Sequence, residues 1–212
     1  MFYRLLLAVI IVSAVTDMVV AARLGTRARY VSKPATTILI GVLVAVTPEP
    51  VGHAYQLFLI AGLLFSVAGD ILLIDEARRL KAGVGCFLVA HLWYSAAFVS
   101  AGATVATPLL VGVALAYGVS IVGYIWPHAK GFRGPAVAYT AVVLIMALLA
   151  GEAALAGSLP RAGYAAVGAV LFVISDSLLS INHFARSIPA KTVLVMTTYV
   201  AAQLLIAMSA GS

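Results

Sequence analysis

Apolar runs of near-bilayer length follow one another along almost the whole chain, and they leave few folds open to it. A helix needs about 20 apolar residues to cross the hydrocarbon layer. Eight runs approach that length, near 2–22, 34–48, 56–74, 82–101, 108–126, 135–151, 162–182 and 191–210. The second and sixth are short and are expected to extend into their flanks. The chain is 64% hydrophobic and 9% charged, with a mean hydropathy of +1.13. A soluble domain of that balance would expose an apolar surface. The expected fold is therefore all-α: one polytopic domain over 1–212, a bundle of eight transmembrane helices. Connections near 47–50, 131–135 and 157–160 are short and hold Pro, Gly or both. The first run follows Arg4 without a persuasive small-residue cleavage site, so it is expected to remain as the first span rather than leave as a signal peptide.

Charge placement then orients the bundle. Arg23, Arg27, Arg29 and Lys33 fall in the first loop, and Arg78, Arg79 and Lys81 in the third. Lys130 and Arg133 fall in the fifth, Arg186 and Lys191 in the seventh; only Arg4 and Arg161 lie on the other side. Positive loops stay cytoplasmic, so both termini are expected outside, in the cell (plasma) membrane. The net charge of +6 reflects this topology rather than a nucleic-acid groove. The single cysteine, Cys86, excludes an intramolecular disulfide and reads as a small apolar helix residue. A clear GxxxG spacing for helix dimerisation is lacking, so the sequence assigns no oligomeric state.

Two aspartates interrupt these runs in matching phrases, Gly69-Asp70-Ile71-Leu72-Leu73 and Ser175-Asp176-Ser177-Leu178-Leu179. A carboxyl at membrane depth is costly, so it faces a bundle interior and marks a functional site. The phrases lie half a chain apart, one on the third helix and one on the seventh, which raises a parallel repeat of four helices. Both helices run outside to inside, and both carboxyls fall roughly 6–9 Å inside the cytoplasmic end. His91, Tyr94, Tyr139, Tyr199, Gln203 and Asp17 belong to the same half of the bundle. That describes a cavity open towards the cytoplasmic leaflet, with an apolar outer half.

Helical spacing groups these side chains. Phe87, His91 and Tyr94 follow an i, i+4, i+7 stripe. Ser66 and Asp70, Asp176 and Ser180, and Tyr199 and Gln203 each share a face. His91 fits a satisfied interior histidine as well as a functional one. Tyr94 and Tyr199 fit packing aromatics as well as substrate contacts. Asp17 reads as a solvated or salt-bridged helix end near Arg23. His53, His128 and His183 read as solvated, and Asp75 and Glu76 as ordinary surface charge. Two carboxyls in one apolar site can hold one proton and one negative charge between them, supplying a general acid and a general base together. The sequence has no G-x-S-x-G elbow, no HExxH, no Cys/His cluster at ligand spacing and no glycine-rich phosphate loop. Any chemistry falls to the carboxyls.

Four phrases in order resemble the YhhN family, which includes lysoplasmalogenases. They are Ser66 to Leu73, Phe87 to Phe98 with Ala90-His91-Leu92-Trp93-Tyr94, Ile174 to Phe184, and Tyr199 to Ile206. The likeness covers nearly the whole chain, and His183 stands where the family more often has Arg or Lys. The resemblance implies eight helices and hydrolysis of the vinyl-ether bond of lysoplasmalogens, with a lysophospholipid substrate drawn from membrane lipids. The products are a fatty aldehyde and glycerophosphoethanolamine or glycerophosphocholine; no metal or organic cofactor is implied. Asp70 and Asp176 are the expected catalytic pair, with the acid and base roles left open. Protonating the vinyl β-carbon leaves an oxocarbenium ion for water to capture, as in glycoside hydrolysis. His91, Tyr94, Tyr139, Tyr199 and Gln203 are the expected positioning groups for water or the glycerol oxygens. Lys33 is a candidate for the lipid phosphate, or a positive-inside anchor. The competing readings are a proton-coupled carrier or lipid transporter using the same aspartates, and a non-catalytic membrane subunit with an interhelical hydrogen-bond network.

Overall fold

A chain in hydrocarbon must satisfy every backbone N–H and C=O within itself, and a helix does so inside each segment. The structure, a computed structural model describing residues 2–23 and 26–211, is all-helical and has no strand among those residues. Eight α-helices occur among them: α1 (Phe2–Arg23), α2 (Thr26–Ala45), α3 (His53–Leu72), α4 (Glu76–Ser100), α5 (Pro108–Ile125), α6 (Arg133–Ala156), α7 (Ala162–Ser180) and α8 (Lys191–Met208). A 3-10 turn, Leu73–Asp75, joins α3 to α4, and a π turn, Ile181–Ala185, follows α7. Six described segments are long and apolar enough to cross a membrane. One of them, 53–100, holds both α3 and α4, which pack along each other as a hairpin; α7 and α8 form another.

The short second run extends into its flank, as expected. The helix begins at Thr26, well before the apolar run near 34, so Arg27, Arg29 and Lys33, read as loop charges, ride on a helix instead. Pro34 sits inside it and removes one backbone donor. Tertiary contacts outweigh that local cost, because the residues before the proline find interior partners. Ser32 Oγ donates to Asp17 on α1 at 2.6 Å, and Lys33 reaches Asp70 on α3. Of the two readings of Asp17 the salt-bridged one holds, with Arg29 at 3.2 Å as the partner in place of Arg23, and the side chain is fully buried rather than solvated.

Small residues let the helices approach, since burial of apolar area drives little association between helices already in lipid. On α3, Gly62, Ser66 and Gly69 form a flat face under the rings of Tyr94 and Phe87 from α4. On α7, Gly168 abuts the backbone of α8: a Cβ there would stand 2.9 Å from the Ala202 carbonyl oxygen and 3.0 Å from the Ile206 nitrogen. The α5 helix is peripheral. Its start is held by Glu152 of α6, which accepts from the Ala106 and Thr107 amides and the Thr107 hydroxyl, meeting donors that a helix start leaves open.

Two ends of the bundle can be told apart. The 46–52 turn meets the C-terminal residues at one end, through Val51 N–H to the Ala210 carbonyl and Tyr55 OH against Ser209 Oγ at 2.7 Å. The 73–75, 126–132 and 181–190 connections lie at the other.

Because backbone atoms cannot yield as a side-chain tip can, Gly168→Leu is expected to destabilise the protein by about 1–3 kcal/mol. Gly163→Ala, with open space around its Cβ, should change little. Melting temperatures of the two variants in one detergent check this.

Candidate active site

The two hairpins carry their aspartates to one cavity of about 80 Å³. Asp70 and Asp176 both line it, with Arg29, Lys33, Glu76 and Lys191 among the other polar residues. No hydrogen bond joins the two carboxyls among the described residues, and their surroundings differ.

Asp70, on α3, is fully buried. Its Oδ2 accepts from Thr37 Oγ1 of α2 at 2.6 Å and from Tyr199 OH of α8 at 2.9 Å. Lys33 Nζ lies 3.1 Å from Oδ1. Behind Tyr199 the network continues away from the cavity: Gln203 Nε2 donates to Tyr199 OH at 3.2 Å, and Tyr94 OH donates to Gln203 Oε1 at 2.7 Å. Ser66 Oγ lies 3.2 Å from Tyr94 OH. Tyr94 and Gln203 thus stand one layer behind the cavity wall, and Tyr199 forms part of it.

Asp176, on α7, has a side chain 13% exposed. Its Oδ2 accepts from Tyr139 OH of α6 at 2.7 Å, and His91 Nε2 of α4 lies 3.6 Å from the same oxygen. The His91 Nδ1 stands 2.6 Å from the Phe87 carbonyl one turn back. A carbonyl only accepts, so Nδ1 carries the proton, and a neutral ring turns a lone pair towards Asp176. That Nε2 is buried and has no hydrogen-bond partner. The Phe172 ring meets His91 edge-on at 4.5 Å, and Tyr139 does so at 5.5 Å. Phe87, Phe172 and Tyr199 meet edge to face as an aromatic wall.

Asp176 also touches apolar space, which Asp70 does not. It lines a cleft with Ile125, Phe132 and Phe184, and another between α5, α6 and α7 with Tyr117, Thr140 and Leu144. Thr140 and Leu144 in turn border an apolar groove of about 480 Å³ between α5 and α6.

Other sequence readings resolve differently. Glu76 is no ordinary surface charge: both its oxygens accept from Lys191 Nζ, at 2.9 and 3.0 Å, at the cavity wall. His183, in the π turn, is exposed and lies 3.9 Å from Glu76. His53 and His128 are exposed as expected. Thr37 escaped the sequence reading, although Arg29, Lys33 and Thr37 form an i, i+4, i+8 stripe once α2 starts at Thr26. No group of three or more His, Cys, Asp or Glu is placed to hold a metal ion among the described residues. Chemically, the site offers water-sized space and two carboxyls in unlike settings, one of them bordering both polar and apolar pockets.

Comparison with known proteins agrees with the resemblance in the motifs. The model of the YhhN family matches residues 28–210. "Uncharacterized membrane protein YhhN" of Escherichia coli O6:H1 is 30% identical over 181 residues, 85% of this chain and 86% of its own. "Lysoplasmalogenase TMEM86B" of Sus scrofa is 37% identical over 163 residues, 74% of this chain and 65% of its own. "Lysoplasmalogenase TMEM86B" of Homo sapiens is 34% identical over 173 residues, covering 81% and 70%. No solved structure matches significantly. With a family match across nearly its whole length and relatives covered over most of theirs, this integral membrane protein belongs to the YhhN family.

Proposed function

We propose that the chain is a membrane hydrolase of the lysoplasmalogenase type, cleaving the vinyl-ether bond of lysoplasmalogens to a fatty aldehyde and a glycerophospho-alcohol. The observation that carries this reading is the position of Asp176, whose carboxyl borders both the polar cavity and the apolar clefts. A lysoplasmalogen has its scissile bond at just such a boundary, between glycerol and alkenyl chain. The names of the TMEM86B relatives support the same class.

Asp70 and Asp176 divide the chemistry. All partners of Asp70 are donors, Thr37, Tyr199 and Lys33, which is the partner set of a carboxylate. Asp176 has one hydroxyl donor and a histidine lone pair, so it is the proton donor. Its proton goes to the vinyl carbon remote from oxygen, and the C=C electron pair forms the new C–H bond. The positive charge left on the carbon bearing oxygen is stabilised by the Asp70 carboxylate. Water adds there and returns a proton to Asp176. The hemiacetal then breaks its C–O bond to glycerol, its hydroxyl proton passing to the leaving oxygen, and aldehyde remains. His91 and Tyr139 orient Asp176; Tyr94 and Gln203 act through Tyr199. The hydrocarbon tail follows the clefts towards the groove between α5 and α6. The chemistry asks for carboxyls and water alone. In the membrane, eight crossings in one domain put both termini outside and the cavity towards the cytoplasmic leaflet of the cell membrane. Arg78, Arg79, Lys130 and Arg186 lie at its end of the bundle and support that orientation.

Purified protein is expected to release aldehyde from a lysoplasmenyl phospholipid and to leave its ester-linked counterpart intact; hydrolysis of the ester instead would refute the vinyl-ether assignment. Asp176→Asn and Asp70→Asn should each lower turnover by about 10²–10⁴-fold while the melting temperature shows a folded protein. His91→Ala should cost less, since the carboxyl that delivers the proton remains. Full turnover by either Asn variant removes that aspartate from the mechanism.

A further inference from the structure

Three cations and three carboxyl groups line the cavity, and each cation already has an acidic partner. Lys33 faces Asp70 at 3.1 Å, and Lys191 donates to both oxygens of Glu76. Arg29 is held from behind by the fully buried Asp17, through Nη2 at 3.2 Å and Nε at 3.5 Å. That grip uses one edge of the guanidinium and leaves Nη1 for another acceptor. The first pair belongs to the chemistry described above. The other two stand nearer the mouth and take no part in it. Glu76 and Lys191 open α4 and α8, both side chains about a quarter exposed, at 27% and 26%. Asp70 is fully buried within α3, whereas Glu76 follows the 3-10 turn that ends that helix and, like Lys191, is about a quarter exposed. The mouth pair therefore lies beyond the carboxyls, in the direction a head group would extend.

We propose that the Lys191–Glu76 pair and Arg29 form the head-group site for a zwitterionic lysophospholipid, an assignment that rests on such a lipid occupying the cavity. Lys191 and Arg29 take the phosphodiester, and Glu76 takes the head-group amine. The exchange is charge-neutral: one internal ion pair opens, and the phosphate and ammonium of the ligand complete two new ones. Charge-assisted hydrogen bonds in a part-buried setting are the strong ones. The site is local because the backbone fixes both partners. The 3-10 turn Leu73–Asp75 delivers Glu76, and Ala190, in left-handed geometry at φ 54°, delivers Lys191. Asp17 is a positioning residue, acting on the phosphate only through Arg29.

The test is equilibrium binding of non-cleavable alkyl analogues to the purified full chain in detergent. Three probes separate the parts: alkyl-lysophosphoethanolamine, alkyl-lysophosphatidic acid and alkylglycerol. The parent should bind both phosphate-bearing lipids at least about tenfold tighter than alkylglycerol. Lys191→Gln and Arg29→Gln should each abolish most of that difference while leaving alkylglycerol binding unchanged. Glu76→Gln should weaken the phosphoethanolamine lipid but not lysophosphatidic acid. Because these substitutions also remove an internal ion pair, the exchange Glu76→Lys with Lys191→Glu keeps the pair and the fold. It should melt like the parent yet lose most of the preference for the phosphate-bearing lipids over alkylglycerol. Equal binding of all three probes by the parent, or parental discrimination in the exchanged variant, overturns the proposal. Binding of uncleavable lipids does not depend on turnover. Head-group discrimination without aldehyde release would sink the hydrolase reading alone, and aldehyde release without discrimination would sink this one alone.

Discussion

The ion pair between Lys33 and Asp70 is the contact around which the rest of the bundle is arranged. A charge in an apolar interior is tolerated only when it is paired and its remaining valences are filled. Lys33 can reach Asp70 only if α2 is already helical before Pro34, which is why that helix runs through its proline. One turn on, Thr37 fills a second valence of Asp70, and Tyr199 brings α8 to the same oxygen. From there Gln203, Tyr94 and Ser66 carry the network to α4 and back to α3. In lipid the hydrophobic effect does not choose among helix partners. A chain of donors and acceptors that runs from α2 through α3 and α8 to α4 does, because a different pairing of helices would break it and leave buried hydroxyls without partners.

Matching phrases nonetheless build unlike sites. The residue before each aspartate decides much of the difference. Gly69 lets the Phe87 ring lie against α3 beside Asp70, which closes that carboxyl away from apolar space. Ser175 instead donates to the Val195 carbonyl of α8, so α7 is tied by its own hydroxyl and Asp176 stays at the seam with α6. The aromatic wall of Phe87, Phe172 and Tyr199 keeps the two environments distinct. One carboxyl gathers donors; the other meets a tyrosine, a histidine lone pair and two apolar clefts. Matching phrases thus end in unlike surroundings.

Period and charge were sufficient to read the helical class and most helices from sequence, because a bilayer-length apolar run has few alternatives. The polar stripes were also legible. Phe87, His91 and Tyr94 are all buried, as are Ser66 and Asp70, and Tyr199 and Gln203. The ion pairs were not. Counting apolar residues places the second run near 34 and assigns the cations before it to a loop, which detached Arg29 and Lys33 from the stripe that contains Thr37. The same error hid the partner of Asp17. Glu76 and Lys191 were opaque for another reason. They are 115 residues apart, and neither a charge after a turn nor a lysine before an apolar run announces a partner at that distance.

Irregular backbone explains why the cavity lies where it does. Non-helical chain at membrane depth is tolerated where protein buries it or where it lines a wet cavity. Both hairpins leave α geometry within about a turn of their aspartates, one as a 3-10 turn and one as a π turn. The π turn closes with the Arg186 amide on the Ile181 carbonyl, and Asn182 Oδ1 accepts from the Ile188 amide beyond it. These contacts satisfy groups that a straight helix would have satisfied itself, and they do so beside the carboxyls. A regular helix through either turn would carry Glu76 or Lys191 away from the wall and leave Asp70 and Asp176 facing a polar space with no mouth. The departures from ideal geometry thus bring Glu76 and Lys191 to the wall of the cavity that both aspartates line.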